Sequence, residues 1–285
     1  MKTMYDTLIQ ASELSAHLDD KNWLIFDCRF DLADSAKGEA LYRESHIPGA
    51  IYAHLDKHLS SAITVQSGRH PLPDITLLVN WLAACGLTEQ SQVVVYDDSY
   101  GAMASRLWWL LKCLGHSAVA LVDGGWQAWQ AASLALDDRP AVLQPSDYSA
   151  ELDCGCYVST EEVIDNLQSN DFQLIDVRTS ERFSGKAEPI DPIAGHIPGS
   201  INIPLSENLD PGGLFKSAAE LQQLYAGSCS DGLSQQPVFM CGSGVTACHS
   251  VFATVLAGFS MPRVYAGSWS EWIRDVARPV ATGLE

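Results

Sequence analysis

The cysteine at position 241 stands where an apolar run ends and a glycine-containing loop begins. Pro237-Val238-Phe239-Met240 precedes it, and Gly242-Ser243-Gly244-Val245-Thr246 leads into a helical pattern that starts near Ala247. Backbone N–H groups of a tight loop at a helix N-terminus favour a thiolate and any anion bound beside it. A lone cysteine is more often a buried small apolar residue. The loop context nevertheless predicts a nucleophile at Cys241.

Composition limits the classes of partner. The 285 residues are enough for more than one compact domain, and the formal net charge of -18 would repel nucleic acid and anionic membranes. An anionic substrate would have to meet a locally positive pocket. The start shows no signal-peptide pattern and no apolar run could span a bilayer, which predicts a cytoplasmic protein. The eight cysteines are scattered and expected to be reduced, and neither a metal ion nor a cofactor is expected.

Four short segments recur in the same order in the two halves of the chain. They pair 24–29 with 174–178, 46–51 with 196–201, 93–97 with 237–241, and 123–129 with 266–272. Between them, β-branched runs alternate with helical patterns, which is typical of βα units around a parallel sheet. The sequence therefore predicts an α/β protein with two tandem domains, each a parallel sheet flanked by helices. The predicted limits are 1–140 for the first domain, 141–157 for a linker and 158–285 for the second domain.

The repeat separates architectural residues from candidate functional ones. An Asp-x-Arg pair and a His-Ile-Pro-Gly segment occur in both halves, so we expect an ion pair at a strand end and a structural turn. The first half has Asp97 where the second has Cys241, so only the second half carries the nucleophile. Arg182 also occurs only in the second half, where it is either part of a carboxylate clamp or a solvated surface residue.

The first half is longer between its repeated segments. It has about six more residues than the second half between the His-Ile-Pro-Gly segment and the position of the nucleophile. This stretch carries Asp56, Arg69 and His70. A long loop of this kind could close over the nucleophile of the other half.

The tandem layout, the doubled His-Ile-Pro-Gly and the loop Cys-Gly-Ser-Gly-Val-Thr resemble the rhodanese superfamily of two-domain sulfurtransferases over nearly the whole chain. The resemblance implies an inactive N-terminal domain and a catalytic C-terminal domain that carries a persulfide on Cys241. Within the superfamily, this loop resembles the 3-mercaptopyruvate sulfurtransferase branch, whereas the thiosulfate branch typically has Cys-Arg-Lys-Gly-Val-Thr. A neutral loop with a hydroxyl suits an enolate leaving group that must be protonated, and cationic side chains suit thiosulfate.

The resemblance also implies roles for individual residues. The implied catalytic residues are Cys241, Ser243, Asp56 and His70, the last three forming a charge network. The implied substrate-binding residues are Arg182, Gly242, Gly244, Val245 and Thr246, with Arg69 as a replacement for a second arginine. The branch usually has that arginine nine residues after the Arg182 position, where this chain has Asp191. Unless Arg69 compensates, the loss of half the clamp favours thiosulfate or another sulfane donor.

The expected activity is transfer of a sulfane sulfur from 3-mercaptopyruvate through a Cys241 persulfide, with release of pyruvate. Cyanide or, by resemblance, a thioredoxin-like dithiol would accept the sulfur. The alternatives are a thiosulfate:cyanide sulfurtransferase and a non-catalytic persulfide carrier. A cysteine phosphatase is disfavoured because Ala247 stands where such an enzyme has its phosphate-binding arginine. In the following helix, Cys248 is expected to be a packed small residue or a resolving thiol, and His249 to lie on the helix surface or in the capping region.

Overall fold

The computed structural model describes residues 4–226 and 237–284 of the chain. They form two compact units, one made of the described residues within 1–61 and 72–153, the other of those within 62–71 and 154–285. Each unit has a five-stranded sheet whose paired strands run parallel, with helices around it. The α/β fold with two such sheets is confirmed. The domain limits 1–140, 141–157 and 158–285 stay a prediction.

The first unit contains strands β1 to β5 and helices α1 to α6. Its strands are β1 (Leu8–Ile9), β2 (Trp23–Asp27), β3 (Ile51–Tyr52), β4 (Gln92–Tyr96) and β5 (Val119–Val122). Its helices are α1 (Ala11–Ser15), α2 (Lys37–Glu44), α3 (Leu55–His58), α4 (Ile75–Ala84), α5 (Ala104–Cys113) and α6 (Gly125–Ala131).

The second unit contains strands β6 to β10, helices α7 to α11 and two short 3-10 turns. Its strands are β6 (Tyr157–Val158), β7 (Leu174–Asp176), β8 (Ile201–Asn202), β9 (Val238–Met240) and β10 (Arg263–Tyr265). Its helices are α7 (Thr160–Ser169), α8 (Ser180–Ser184), α9 (Ala218–Ala226), α10 (Ala247–Leu256) and α11 (Ser268–Trp272), and the turns are Cys154–Cys156 and Leu205–Asn208.

The two sheets have the same topology. Their strand orders are β1-β5-β4-β2-β3 and β6-β10-β9-β7-β8, so each strand of the second sheet takes the place of the strand five positions earlier. The central strands β4 and β9 are buried throughout. Strands covered on both faces read as continuous apolar runs, as Val93-Val94-Val95 and Val238-Phe239-Met240 do. The tandem repeat expected from the sequence is confirmed.

The Asp-x-Arg pairs are buried ion pairs at the ends of β2 and β7, as expected. The shortest N–O distance is 2.6 Å both for Asp27 with Arg29 and for Asp176 with Arg178. Both arginines also donate to a backbone carbonyl oxygen, that of Ser45 in the first unit and that of Gly195 in the second. The pairs therefore fix the ends of these two strands, which is a structural role.

The two histidines of the His-Ile-Pro-Gly segments are also structural. His46 Nδ1 lies 2.6 Å from the carbonyl oxygen of Tyr42, and His196 Nδ1 lies 2.9 Å from that of Phe183. Each histidine also forms an isolated antiparallel bridge, with Asp137 and Ala281 respectively. The expected structural turn is confirmed in both units.

Membrane-spanning segments were sought among residues 4–226 and 237–284. Within these residues, no helix combines the length and the apolar character needed to cross a bilayer.

Candidate active site

Cys241 follows the last residue of β9 and opens the loop that leads to α10. Its Sγ accepts a hydrogen bond from the Gly244 N–H at 3.2 Å. The start of α11 holds its backbone, because the Trp269 N–H donates to the Cys241 carbonyl oxygen at 3.1 Å and the Cys241 N–H donates to Ser268 Oγ at 3.1 Å. The residue is 2% exposed. The sulfur is therefore held in a defined position inside a closely packed loop.

Gly244 is required by both the conformation and the packing of this loop. Its φ is +77°, in the left-handed region that side chains rarely adopt. A Cβ added there would lie 2.2 Å from the carbonyl oxygen of Ala266. The glycine thus permits the tight turn that directs its N–H to the sulfur.

The helix that follows supplies further backbone donors. Val245 is buried, Thr246 is the N-cap of α10, and α10 begins at Ala247, where the sequence predicted it. Among its first N–H groups, those of Cys248 and His249 donate to the carbonyl oxygens of Val245 and Thr246, and the whole first turn lies at the positive end of the helix dipole. Such donors stabilise negative charge on or beside a sulfur atom at the start of a helix.

His70 and Ser243, both predicted to be catalytic, lie within hydrogen-bond distance of each other. Ser243 follows Cys241 by two residues in the chain. His70 Nδ1 lies 2.8 Å from Ser243 Oγ. The two residues are 7% and 5% exposed, so this hydrogen bond is screened little by water. A hydroxyl bonded to an imidazole is a group that can pass a proton to a leaving group.

The loop that carries His70 belongs to the second unit, although it lies early in the chain. Ser270 Oγ accepts a hydrogen bond from the Arg69 N–H at 3.0 Å, and a carboxylate oxygen of Glu271 accepts one from the Gly68 N–H at 3.2 Å. Ser270 also donates its own N–H to the Gly242 carbonyl oxygen at 2.9 Å. Ser270 therefore connects the nucleophile loop directly to the loop of Arg69 and His70.

Two arginines lie next to Gly242, the residue that follows the nucleophile. A Cβ added at Gly242 would lie 2.9 Å from Arg69 Nη2 and 3.5 Å from each Nη atom of Arg182. The side chain of Arg182 is 15% exposed and that of Arg69 is 27% exposed. The structure thus brings together the two arginines that the sequence offered as a carboxylate clamp.

Two carboxylates accompany the arginines. Asp191 accepts from Arg182 Nη2 at 3.0 Å through one oxygen and from Arg69 Nη1 through the other. Glu188 accepts from Arg182 Nε at 2.9 and 3.0 Å. We call these four side chains the Arg–Asp cluster. Two positive and two negative charges leave it close to neutral.

Burial and charge act in opposite directions within the Arg–Asp cluster. Burial raises the pKa of Asp191, and the attraction to Arg69 and Arg182 offsets it only in part. Burial also acts to raise the pKa of Glu188, but hydrogen bonds from Arg182 and from backbone N–H groups outweigh it and leave the pKa lowered. The cost of burying a negative charge is therefore less well offset for Asp191 than for Glu188.

Asp56, the fourth predicted catalytic residue, belongs to the first unit. It lies in α3, where its N–H donates to His54 Nδ1 at 3.1 Å, and it is exposed. Its place in a charge network with His70 and Ser243 stays a prediction.

The sequence analysis missed two features of this site. His249, expected on the helix surface or in the capping region, lies in the first turn of α10 and is fully buried, so a surface position was wrong. Its Nδ1 lies 3.1 Å from Nδ2 of the buried Asn208. Glu188 was not singled out, although the acidic segment that holds it also holds Asp191. The two acidic residues between Arg182 and His196 were the available signal for carboxylates near the arginine.

Comparison with known proteins identifies the family. The family model for the Rhodanese-like domain matches residues 10–132 and again residues 159–275. The chain therefore belongs to the rhodanese family. Its relatives are named as sulfurtransferases, and the chain is a sulfurtransferase.

Relatives in two branches resemble the chain over most of its length. A Pseudomonas aeruginosa protein named "Probable 3-mercaptopyruvate sulfurtransferase" is 46% identical over 278 residues, covering 97% of this chain and 98% of that protein. The thiosulfate sulfurtransferase of Rattus norvegicus is 34% identical, covering 82% of this chain and 79% of that protein. Among solved structures, the 3-mercaptopyruvate sulfurtransferase of Leishmania major superposes with a TM-score of 0.82 at 30% identity, covering 96% of this chain and 75% of that one.

Proposed function

We propose that the protein transfers a sulfane sulfur from 3-mercaptopyruvate to a thiol or to cyanide through a persulfide on Cys241. The hydrogen bond between Ser243 Oγ and His70 Nδ1 carries the proposal, because it places a proton donor in the nucleophile loop. The loop has no cationic side chain between Cys241 and Ala247. Protonation of a carbon leaving group needs such a donor, whereas a departing sulfite dianion needs positive charge.

The donor would bind through its carboxylate. Arg69 and Arg182 both reach Gly242, and a guanidinium binds a carboxylate through two parallel hydrogen bonds. The carbonyl group of the donor separates its carboxylate from its sulfur by a few bonds. Because Gly242 follows Cys241 directly, arginines next to Gly242 could bind the carboxylate of a donor whose sulfur lies at Cys241.

In the first half-reaction, the Cys241 thiolate attacks the sulfur of the donor. A sulfur–sulfur bond forms, the carbon–sulfur bond breaks, and its electron pair stays on carbon as the enolate of pyruvate. Ser243 delivers a proton to this enolate and recovers one from His70, and His70 regains a proton from the S–H of the new persulfide, which leaves the persulfide as an anion. Asp56 is the proposed third member of the network. The N–H of Gly244 and those at the start of α10 stabilise the persulfide anion that remains.

In the second half-reaction, the outer sulfur of the persulfide passes to the acceptor. A thiolate or cyanide attacks that sulfur, the sulfur–sulfur bond breaks, and the electron pair returns to Cys241 as thiolate. A dithiol of the thioredoxin type would then release hydrogen sulfide by forming its own disulfide. These steps regenerate the enzyme without a cofactor, and we propose that they take place in the cytoplasm.

One observation weakens the case for a carboxylate donor and so keeps thiosulfate as the second candidate. Asp191 and Glu188 neutralise the arginines that would bind a donor carboxylate. The similarity to a relative named thiosulfate sulfurtransferase is consistent with this alternative. The same cysteine and the same persulfide would serve both donors.

The two donors are separated by kinetics with wild-type protein and a Ser243→Ala variant. We expect kcat/KM to be higher for 3-mercaptopyruvate, and the variant to lose about 100-fold in kcat with this donor because it lacks the proton donor. With thiosulfate the variant should keep its rate, because sulfite leaves without a proton. A wild-type preference for thiosulfate, or an equal loss with both donors, would reject the proposed substrate and the role of Ser243.

A further inference from the structure

Asp191 occupies the position between the arginines where a donor carboxylate is expected to bind. Its two oxygens accept hydrogen bonds from different guanidinium groups, one from Arg69 and one from Arg182. Both guanidinium groups also lie against Gly242, beside the nucleophile. A carboxylate that bridges two arginines is the arrangement that the donor itself would form.

The burial of Asp191 shows that this arrangement is a fixed feature of the folded protein. The side chain is 3% exposed, so it is not a flexible surface acid that meets the arginines occasionally. Its N–H donates to Glu188, whose carboxylate also binds Arg182, so the backbone of the segment is fixed as well. The raised pKa of Asp191 indicates that the arginines do not fully offset the cost of burying its charge.

Two carboxylates cannot share the same pair of arginines without a cost. A donor carboxylate placed beside Asp191 would face a like charge in a site largely shielded from water. Binding of the donor through the N–H groups that Asp191 now holds therefore requires Asp191 to move away or to be protonated. Either change lowers the measured affinity for the donor.

We infer that Asp191 is an internal competitor for the carboxylate of the donor and thereby sets the specificity of the site. The inference rests on the proposed function in that it takes Arg69 and Arg182 as the donor-binding pair. Asp191 raises the donor concentration that is needed for turnover. It also discriminates against monocarboxylates that bind the arginines too weakly to displace it.

The test measures the binding of pyruvate, a carboxylate without a sulfur to transfer, by isothermal titration calorimetry. The proteins compared are wild type, Asp191→Asn and a control, Asp165→Asn, which removes the same charge from an exposed position on α7. We expect Asp191→Asn to bind pyruvate about tenfold more tightly, which corresponds to about 1.4 kcal/mol, and the control to match wild type.

The opposite result is equally informative. If Asp191 only holds the arginines in place, its removal would leave pyruvate binding unchanged or weaken it, and the inference would be overturned. Asp191→Ala gives a second measurement with no side-chain amide to bind the arginines, and thermal unfolding shows that each variant is folded.

Steady-state kinetics separates the inference from the proposed function. If 3-mercaptopyruvate is the donor, its KM should fall by about the same factor in Asp191→Asn. If neither protein turns over 3-mercaptopyruvate but pyruvate still binds more tightly to Asp191→Asn, the proposed function fails and the inference stands. If 3-mercaptopyruvate is turned over but pyruvate affinity is unchanged, the inference fails and the proposed function stands.

Discussion

The loops that follow β4 and β9 occupy the same place in the two sheets but satisfy their backbone N–H groups differently. In the first unit, Asp97 accepts four hydrogen bonds, at 2.8 Å from Ser99 and Gly101 to one oxygen and at 2.7 Å from Met103 and Ala104 to the other. Its carboxylate fills the ring of donors completely. No external anion could add to this loop without displacing Asp97.

In the second unit, a thiol stands at the corresponding position. Cys241 Sγ accepts one N–H, that of Gly244, at 3.2 Å. A thiolate sulfur is one atom, whereas the Asp97 carboxylate presents two acceptors, so the second loop retains donor capacity for a second sulfur atom. On the proposed mechanism, the first loop is closed by its own anion and the second is open to a persulfide.

Asp191 extends this comparison within the second unit. It is also an internal carboxylate in an anion site, but it is held by two arginine side chains rather than by backbone N–H groups. Contacts between side chains can be exchanged without moving the backbone, whereas a loop packed into the core cannot rearrange so readily. Asp97 is accordingly a permanent occupant and Asp191 an exchangeable one.

The largest expected effect comes from breaking the closed loop of the first unit. Asp97→Asn puts an amide NH2 against N–H groups that now point at a carboxylate oxygen, so two buried donors lose their acceptor. We expect the free energy of unfolding to fall by about 3 kcal/mol or more, measured by urea denaturation. Asp138→Asn, which removes the same charge at an exposed position, is the control. A midpoint equal to that of the control would show that Asp97 does not close the loop.

A smaller effect is expected from blocking the turn of the second loop. Gly244→Ala places a Cβ against the carbonyl oxygen of Ala266, whereas Gly258→Ala, with φ of +88°, meets nothing within 4 Å. Both variants carry the strain of a left-handed residue, so their difference isolates the clash. We expect Gly244→Ala to be less stable than Gly258→Ala by about 2 kcal/mol and to lose most of its activity. Equal stability and activity of the two variants would contradict the role given to Gly244.

Much of this arrangement could be read from the sequence because it depends on local pattern. The doubled segments and the β-branched runs predicted the two sheets, and the residues around Cys241 predicted a strand, a loop and a helix. The Arg–Asp cluster depends instead on a contact between residues 122 positions apart, Arg69 and Asp191. The sequence shows both charges but not that they are in contact. The sequence analysis therefore interpreted Asp191 as a missing arginine and not as a partner of Arg69 and Arg182. Likewise, the burial of His249 follows from its partner Asn208, which no periodicity of α10 reveals.

The most direct test is the mass of the protein after one cycle of the first half-reaction. Incubation of wild-type protein with 3-mercaptopyruvate and no acceptor should add one sulfur atom to Cys241, identified by peptide mass spectrometry, with release of one equivalent of pyruvate. Cys241→Ser should gain no sulfur and release no pyruvate, whereas Cys154→Ser, which replaces an exposed cysteine, should behave as wild type. Added sulfur on a cysteine other than Cys241, or pyruvate released by Cys241→Ser, would contradict the account.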